Sequence, residues 1–221
     1  MRLLRQVNAG KAAALNRAIA ASSGDVLVCL DADTLFNADT LGFLVAPFVD
    51  DTVGAVAGNV KVGNRVNVWT RWQALEYVTS QNLDRRAYAL LDAITVVPGA
   101  VGAWRRAAIE QAGGFRTDTL AEDMDLTWRV REQGWLMETE SGAIAYTEAP
   151  ESIKPFFKQR FRWAYGTLQC PKAVALDAVL SWAYSNVLPT KYQLALATHV
   201  LLLYDLLAVR DPSQIHQQQH P

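Results

Sequence analysis

Hydrophobic positions along the 221-residue chain change period several times, and each change marks an element. Lys11 to Ala21 is rich in Ala and Leu, follows Gly10 and runs out at Ser22-Ser23-Gly24, which predicts a helix with a glycine stop. Val26 to Leu30 is short, wholly apolar and partly β-branched, as a strand buried on both faces should be. Asp39 to Val49 reads as a second helix and Val53 to Val62 as a second strand. Helix, buried strand, helix and strand in alternation predict an α/β sandwich around a mostly parallel sheet.

From Asn67 to Leu91 the pattern changes to one long helix. Trp69, Trp72, Leu75, Thr79, Leu83 and Leu90 fall within one broad arc of its wheel. Ile94 to Val97 is strand-like and runs into Pro98-Gly99-Ala100-Val101-Gly102, a loop of little side-chain bulk. Glu122 to Gln133 reads as a helix, with three acids near its start and Gly134 at its end. Ala143 to Thr147 is a short strand, and Pro155 opens a helix lasting to about Leu168. Beyond Cys170 the chain is apolar. Leu194 to Val209 reads as a helix of about 16 residues that includes His199 and Asp205. A bilayer span needs roughly 20 apolar residues, so this piece is expected to lie in an interface or to be an incomplete span. The pattern divides the chain into an α/β domain over 1–150, an amphipathic helix over 151–175 and an apolar tail over 176–221.

Composition narrows the function classes. Lys plus Arg is 21 and Asp plus Glu is 22, a net charge of −1 that gives no broad basic surface for nucleic acid. At 51% hydrophobic and 19% charged residues, the chain is not disordered by composition and leans toward a membrane association. Two cysteines, Cys29 and Cys170, exclude a disulfide scaffold and a four-cysteine zinc site. Met1 to Arg5 is no secretory signal. Chemistry-bearing residues begin at Asn8, so the chain reads as starting inside a domain.

Three clusters carry chemistry. Asp31-Ala32-Asp33 stands where a buried strand ends, the edge at which open α/β sheets bind ligands. Two carboxylates there suit a hard divalent cation that also touches phosphate; an Asp-rich turn accounts for them equally well. The run Asp31-Ala32-Asp33-Thr34 also resembles the nucleophile segment of dehalogenase-type phosphatases. Glu122-Asp123-Met124-Asp125 follows about 90 residues later. Acids in a first helical turn are favoured by the dipole alone, while a general base needs one of them to face a cleft. On the wheel Asp125 points away from Asp123.

The third cluster is Gln159-Arg160-Phe161-Arg162-Trp163. Gln159, Arg162 and Trp163 share a face that suits diphosphate and sugar, and Phe157, Phe161 and Leu168 form an apolar stripe opposite, expected to pack. A surface helix with a snorkelling Arg would look the same.

Taken in order, Asn8-Ala9-Gly10-Lys11 with Ala14-Leu15-Asn16, Asp31-Ala32-Asp33, Glu122-Asp123 and Gln159-x-x-Arg162-Trp163 resemble the processive family 2 glycosyltransferases, the cellulose, chitin, hyaluronan and poly-N-acetylglucosamine synthases. The resemblance covers about residues 6 to 170. It leaves little room for the phosphatase, which has no use for Gln-x-x-Arg-Trp. It implies a partial GT-A fold, Rossmann-like, with amphipathic interface helices. It further implies inverting transfer of a sugar, N-acetylglucosamine by choice, from a UDP-sugar donor to a growing polysaccharide acceptor. By the same resemblance Asp123 is the catalytic base. Lys11, Asp31, Asp33, Gln159 and Arg162 are donor-side residues, and Asp33 holds Mg²⁺ or Mn²⁺. Gly99, Glu122 and Trp163 belong to the acceptor side. Ala121 stands where the family often has Thr. The family also implies an inner-membrane protein whose catalytic part is cytoplasmic.

Members carry a nucleoside-binding strand and helix ahead of Asn8 and several membrane-spanning helices after the catalytic part. The chain is therefore expected to be truncated at both ends. A non-catalytic relative that binds membrane or a partner synthase through the Trp69/Trp72 helix is the alternative.

Overall fold

The computed structural model describes residues 3–79, 85–90 and 94–170. The chain divides into two compact units, Met1–Cys170 and Pro171–Pro221, and the second lies outside the described residues, with it the Leu194 to Val209 segment. In order, the elements of the first unit are α1 (Gly10–Ala20), β1 (Val26–Cys29), β2 (Leu35–Phe36), α2 (Thr40–Val45), β3 (Val53–Val62), α3 (Val68–Val78), α4 (Arg85–Leu90), β4 (Gly102–Arg105), α5 (Arg106–Gln111), α6 (Glu122–Glu132), β5 (Leu136–Thr147) and α7 (Ile153–Gln169).

Five strands form one sheet in the order β1-β4-β3-β5-β2. β3 is its centre, buried at every position but Lys61. One apolar cluster, around Trp104, Ile109, Leu126 and Val130, and a second, around Leu44, Val56, Val62 and Ala145, supply the core. Cys29 belongs to the first cluster, as its apolar run implies, and burial pushes its thiol up to about 11.

The α/β class stands, but the sheet is mixed rather than mostly parallel. Only β3 and β5 run parallel; β1–β4, β3–β4 and β2–β5 are antiparallel. Apolar runs report burial on both faces and say little about direction. The reversed strand, β4, was also misplaced. Ile94 to Val97 forms no strand, and Val97 N–H donates instead to Thr127 Oγ1 at 3.0 Å. The strand begins at Gly102, which pairs with Cys29 at the end of β1. Because β4 runs against β1, the loop 98–101 that feeds it sits at the edge where β1 delivers Asp31. That reversal builds one wall of the site.

The helix expected over 67–91 is described as α3 and α4, with residues 80–84 outside the description. Asn67 caps α3 with a capping box, accepting from Thr70 N–H at 3.0 Å while Thr70 Oγ1 accepts from Asn67 N–H at 3.1 Å. The buried face of α3 is Thr70, Gln73, Ala74 and Tyr77, and the arc of Trp69, Trp72 and Leu75 is 38%, 43% and 64% exposed. Gln73 Nε2 fixes this rotation by donating to Pro150 O at 2.8 Å. A helical period identifies a stripe without saying which face turns inward.

Helix α7 turns part of its expected packing stripe outward. Phe156 and Gly166 are its buried residues, and Phe157 and Leu168 of the expected packing stripe are exposed. Gly166 is required where it stands: a Cβ there would lie 2.5 Å from Ala121 Cβ and 2.9 Å from Ala121 N. This contact presses α7 onto the residue before α6, and an Ala rather than Thr at 121 leaves room for it.

Candidate active site

Lys11, Asp31, Asp33, Gly99, Glu122, Asp123, Gln159, Arg162 and Trp163, the residues given donor-side, acceptor-side or base roles by the resemblance, line one cavity of about 350 Å³. β1 delivers Asp31 to its mouth, where a turn closed by Thr34 N–H on Asp31 O at 3.1 Å presents Asp33. The Asp-rich turn is therefore present, and both of its carboxylates line the cavity. Asp33 Oδ1 accepts from Thr147 Oγ1 at 3.4 Å, which ties the turn to the end of β5.

Lys11, in the first turn of α1, reaches across to the acids. Its Nζ is 2.5 Å from Asp31 Oδ1 and 3.5 Å from Glu122 Oε1. Burial pulls the ammonium down, but Asp31, Glu122 and Asp123 together outweigh it and hold Lys11 above its ordinary value. Glu122 is pushed up, first by burial and then by the charge of Asp123, with Lys11 opposing.

The first turn of α6 carries the other acids. Asp123 Oδ2 accepts from Gly99 N–H at 3.0 Å and Oδ1 from Met124 N–H at 2.9 Å. One oxygen is thereby held by the loop before β4 while the carboxylate lines the cavity. Asp125 turns away to Arg129, 2.6 Å distant, as the wheel predicts. Gly99 is where backbone approaches most closely: a Cβ there would strike Lys11 Nζ and lie 3.5 Å from Asp123 Oδ2. Because the obstacle is the tip of a flexible side chain, we expect Gly99→Ala to fold normally while displacing Lys11 from Asp31. Thermal melts of the variant should then overlay the parent, since a half-exposed ion pair is worth about 1 kcal/mol or less. Its affinity for UDP should fall, and a lowered melting temperature beside the lowered affinity would contradict this geometry.

The opposite wall is α7, contributing Gln159, Arg162, Trp163 and Thr167. The face read as diphosphate- and sugar-ready is the one turned to the cavity. Gln159 Oε1 is buried there without a hydrogen-bond partner among the described residues. Arg85 and Tyr77 are among the wall residues that escaped sequence reasoning. Arg85 of α4 is 4% exposed, donates from Nη1 to Gly58 O at 3.0 Å, and burial draws its guanidinium down to about 10 against the charge of Asp123. Tyr77 of α3 lies nearby, its hydroxyl pushed up by burial. A lone Arg or Tyr within a helical stripe carries no chemical signature, so no signal could have found them.

Among the described residues no group of three or more His, Cys, Asp or Glu is placed to hold a metal. Asp33, with the hydroxyls of Thr34 and Thr147 within 3.5 Å of Oδ1, offers hard oxygen donors only. Such a set fits Mg²⁺ or Mn²⁺ when a diphosphate supplies further oxygens.

The mixed α/β sheet with its flanking helices has the fold of the GT-A glycosyltransferases. The chain matches the family described as glycosyltransferase like family 2 over residues 1–166, and it belongs to that family. It is 32% identical over 162 residues to the poly-β-1,6-N-acetyl-D-glucosamine synthase of Staphylococcus aureus strain COL, and equally to that of Staphylococcus epidermidis. Each match covers 73% of this chain but 39% of the relative, so the chain spans about two fifths of the length of these synthases. Among solved structures, a mannosyltransferase from Pyrobaculum calidifontis in complex with GDP-Man and Mn²⁺ superposes with a TM-score of 0.53 at 23% identity, covering 93% of this chain and 62% of that one. That likeness establishes the fold.

Proposed function

We propose that this chain carries the centre of an inverting glycosyltransferase that moves N-acetylglucosamine from a UDP donor to the end of a β-linked polysaccharide. The observation that supports it is the convergence of Asp33, Asp123 and Trp163, which are far apart in sequence, on one cavity. That the staphylococcal relatives are poly-β-1,6-N-acetyl-D-glucosamine synthases supports the choice of sugar and acceptor.

Inverting transfer is a displacement at the anomeric carbon, with a base on one side and a stabilised leaving group on the other. The acceptor hydroxyl gives its proton to Asp123 as its oxygen bonds to the anomeric carbon, and the carbon–oxygen bond to the diphosphate breaks to release UDP. Gly99 N–H holds one Asp123 oxygen and leaves the carboxylate oriented toward the cavity. Lys11, Gln159 and Arg162 bind the departing diphosphate, and Asp31 stands on the nucleotide side beside Lys11. Asp33 would hold Mg²⁺ or Mn²⁺, whose chemistry there is to neutralise charge on the diphosphate. Trp163 offers a ring for the acceptor sugar to stack on, with Gly99 and Glu122 completing that side. No enzyme nucleophile is needed.

The test is UDP release and polymer formation from UDP-N-acetylglucosamine with Mn²⁺ and a β-linked oligosaccharide primer. Turnover with that donor above the rate with other UDP-sugars supports the assignment; no turnover with any of them removes it.

A second reading has its own observation. Trp69, Trp72, Leu75, Ile153 and Phe157 are large, apolar and exposed on α3 and α7, a surface suited to a bilayer interface or a partner synthase. No described helix is long and apolar enough to cross a membrane. Placement at the inner membrane, with the catalytic part on the cytoplasmic side, is our reading from this surface and from the family resemblance. Co-sedimentation with anionic vesicles that disappears in a Trp69→Ala/Trp72→Ala variant would support it.

A further inference from the structure

Arg160 lies within the Gln-x-x-Arg-Trp segment at a position to which the proposed reaction assigns nothing. Its Nη1 and Nη2 donate to Glu76 Oε1 and Oε2 at 2.7 and 2.6 Å, a bidentate pair that joins α7 to α3. Both side chains are 24% exposed, so the pair is largely out of water. The guanidinium carbon lies 4.6 Å from the Trp163 ring centroid and 4.9 Å from that of Phe156. Trp163 is three residues ahead of Arg160 and Phe156 four behind, so ring, guanidinium and ring follow one another along the helix. Phe156 in turn packs on Trp69 and Trp72, with centroids 5.9 and 5.7 Å away.

We propose that Arg160, aimed by Glu76, is a positioning residue that sets the plane of Trp163 and through it the orientation of the acceptor sugar. The proposal rests on the reading that Trp163 meets the acceptor. A planar, delocalised fork is needed for this task, because one group must both match a carboxylate and stack on an indole. Seating of α7 has other supports: Gly166 closes on Ala121, Phe156 is buried, and Leu120 N–H donates to Gln169 Oε1 at 2.9 Å. Removing the pair therefore frees the indole without detaching the helix.

The experiment compares the parent chain with Glu76→Gln and Arg160→Lys by two readouts. The first is steady-state transfer at saturating donor. The acceptor KM should rise about tenfold, the effect of a misplaced binding group, while kcat stays within about threefold. A purely structural lesion would lower the active fraction and kcat and leave KM alone. The second needs no turnover: the Trp163 indole N–H resonance, assigned by its loss in Trp163→Phe, should shift in both variants. An unmoved resonance overturns the proposal, as does an unchanged acceptor KM in a chain that transfers sugar. If the parent transfers no sugar, the transferase reading fails, and the resonance alone decides this proposal.

Discussion

Asp123→Asn should lower kcat by about 10² to 10⁴, the contribution of a positioned general base, with little effect on folding. The carboxylate accepts from two backbone donors, Gly99 N–H and Met124 N–H. An Asn in its place keeps one acceptor and turns an amide donor toward the other N–H. The loss is on the order of one hydrogen bond, about 1 kcal/mol, which corresponds to a fall of about 2–4 °C in Tm for a domain of this size. Rate and stability are thus expected to separate by several orders of magnitude. Steady-state kinetics beside a thermal melt checks this. A variant that keeps a tenth or more of the parent rate would remove Asp123 from its role.

Arg162→Ala is the second large effect. Arg162 is exposed along α7 yet lines the cavity, and its charge reaches Glu122. No hydrogen bond or ion pair ties it into the described fold, so stability should stay within about 0.5 kcal/mol. Loss of a cation that stabilises a departing diphosphate should lower kcat by about 10² or more and weaken UDP binding in parallel. Arg162→Lys should recover only part of the rate, because a compact ammonium lacks the fork that grips two phosphate oxygens. Full activity in the lysine variant would show that charge alone suffices.

The sequence carried the site better than the framework that holds it. Asp31, Asp33 and the Gln159, Arg162 and Trp163 face were legible only through the order of motifs that resembles the family, because alone they read as a turn and a surface helix equally well. Direction and facing were not. The loop 94–101 satisfies part of its backbone through Thr127 and Asp123 of α6, so a β-branched run that looked like a strand lies beside the site as a wall. The strand that replaces it, Gly102-Ala103-Trp104-Arg105, begins with the two smallest residues, which propensity disfavours. The outward turn of Trp69 and Trp72 depends on Asn67 and Gln73, polar residues whose bonding partners are distant in sequence. Arg85 and Arg160 were invisible for the same reason: what makes each special is a partner on another element.

The most direct measurement adds Mn²⁺ and UDP to ¹⁵N-labelled protein and follows relaxation broadening around the paramagnetic ion. The amide of Thr34 beside Asp33, the amide of Gly99 beside Asp123 and the indole of Trp163 should broaden together, with recovery on excess Mg²⁺. Broadening confined to the neighbourhood of Asp33, with Gly99 and Trp163 untouched, would mean that these groups do not share one site.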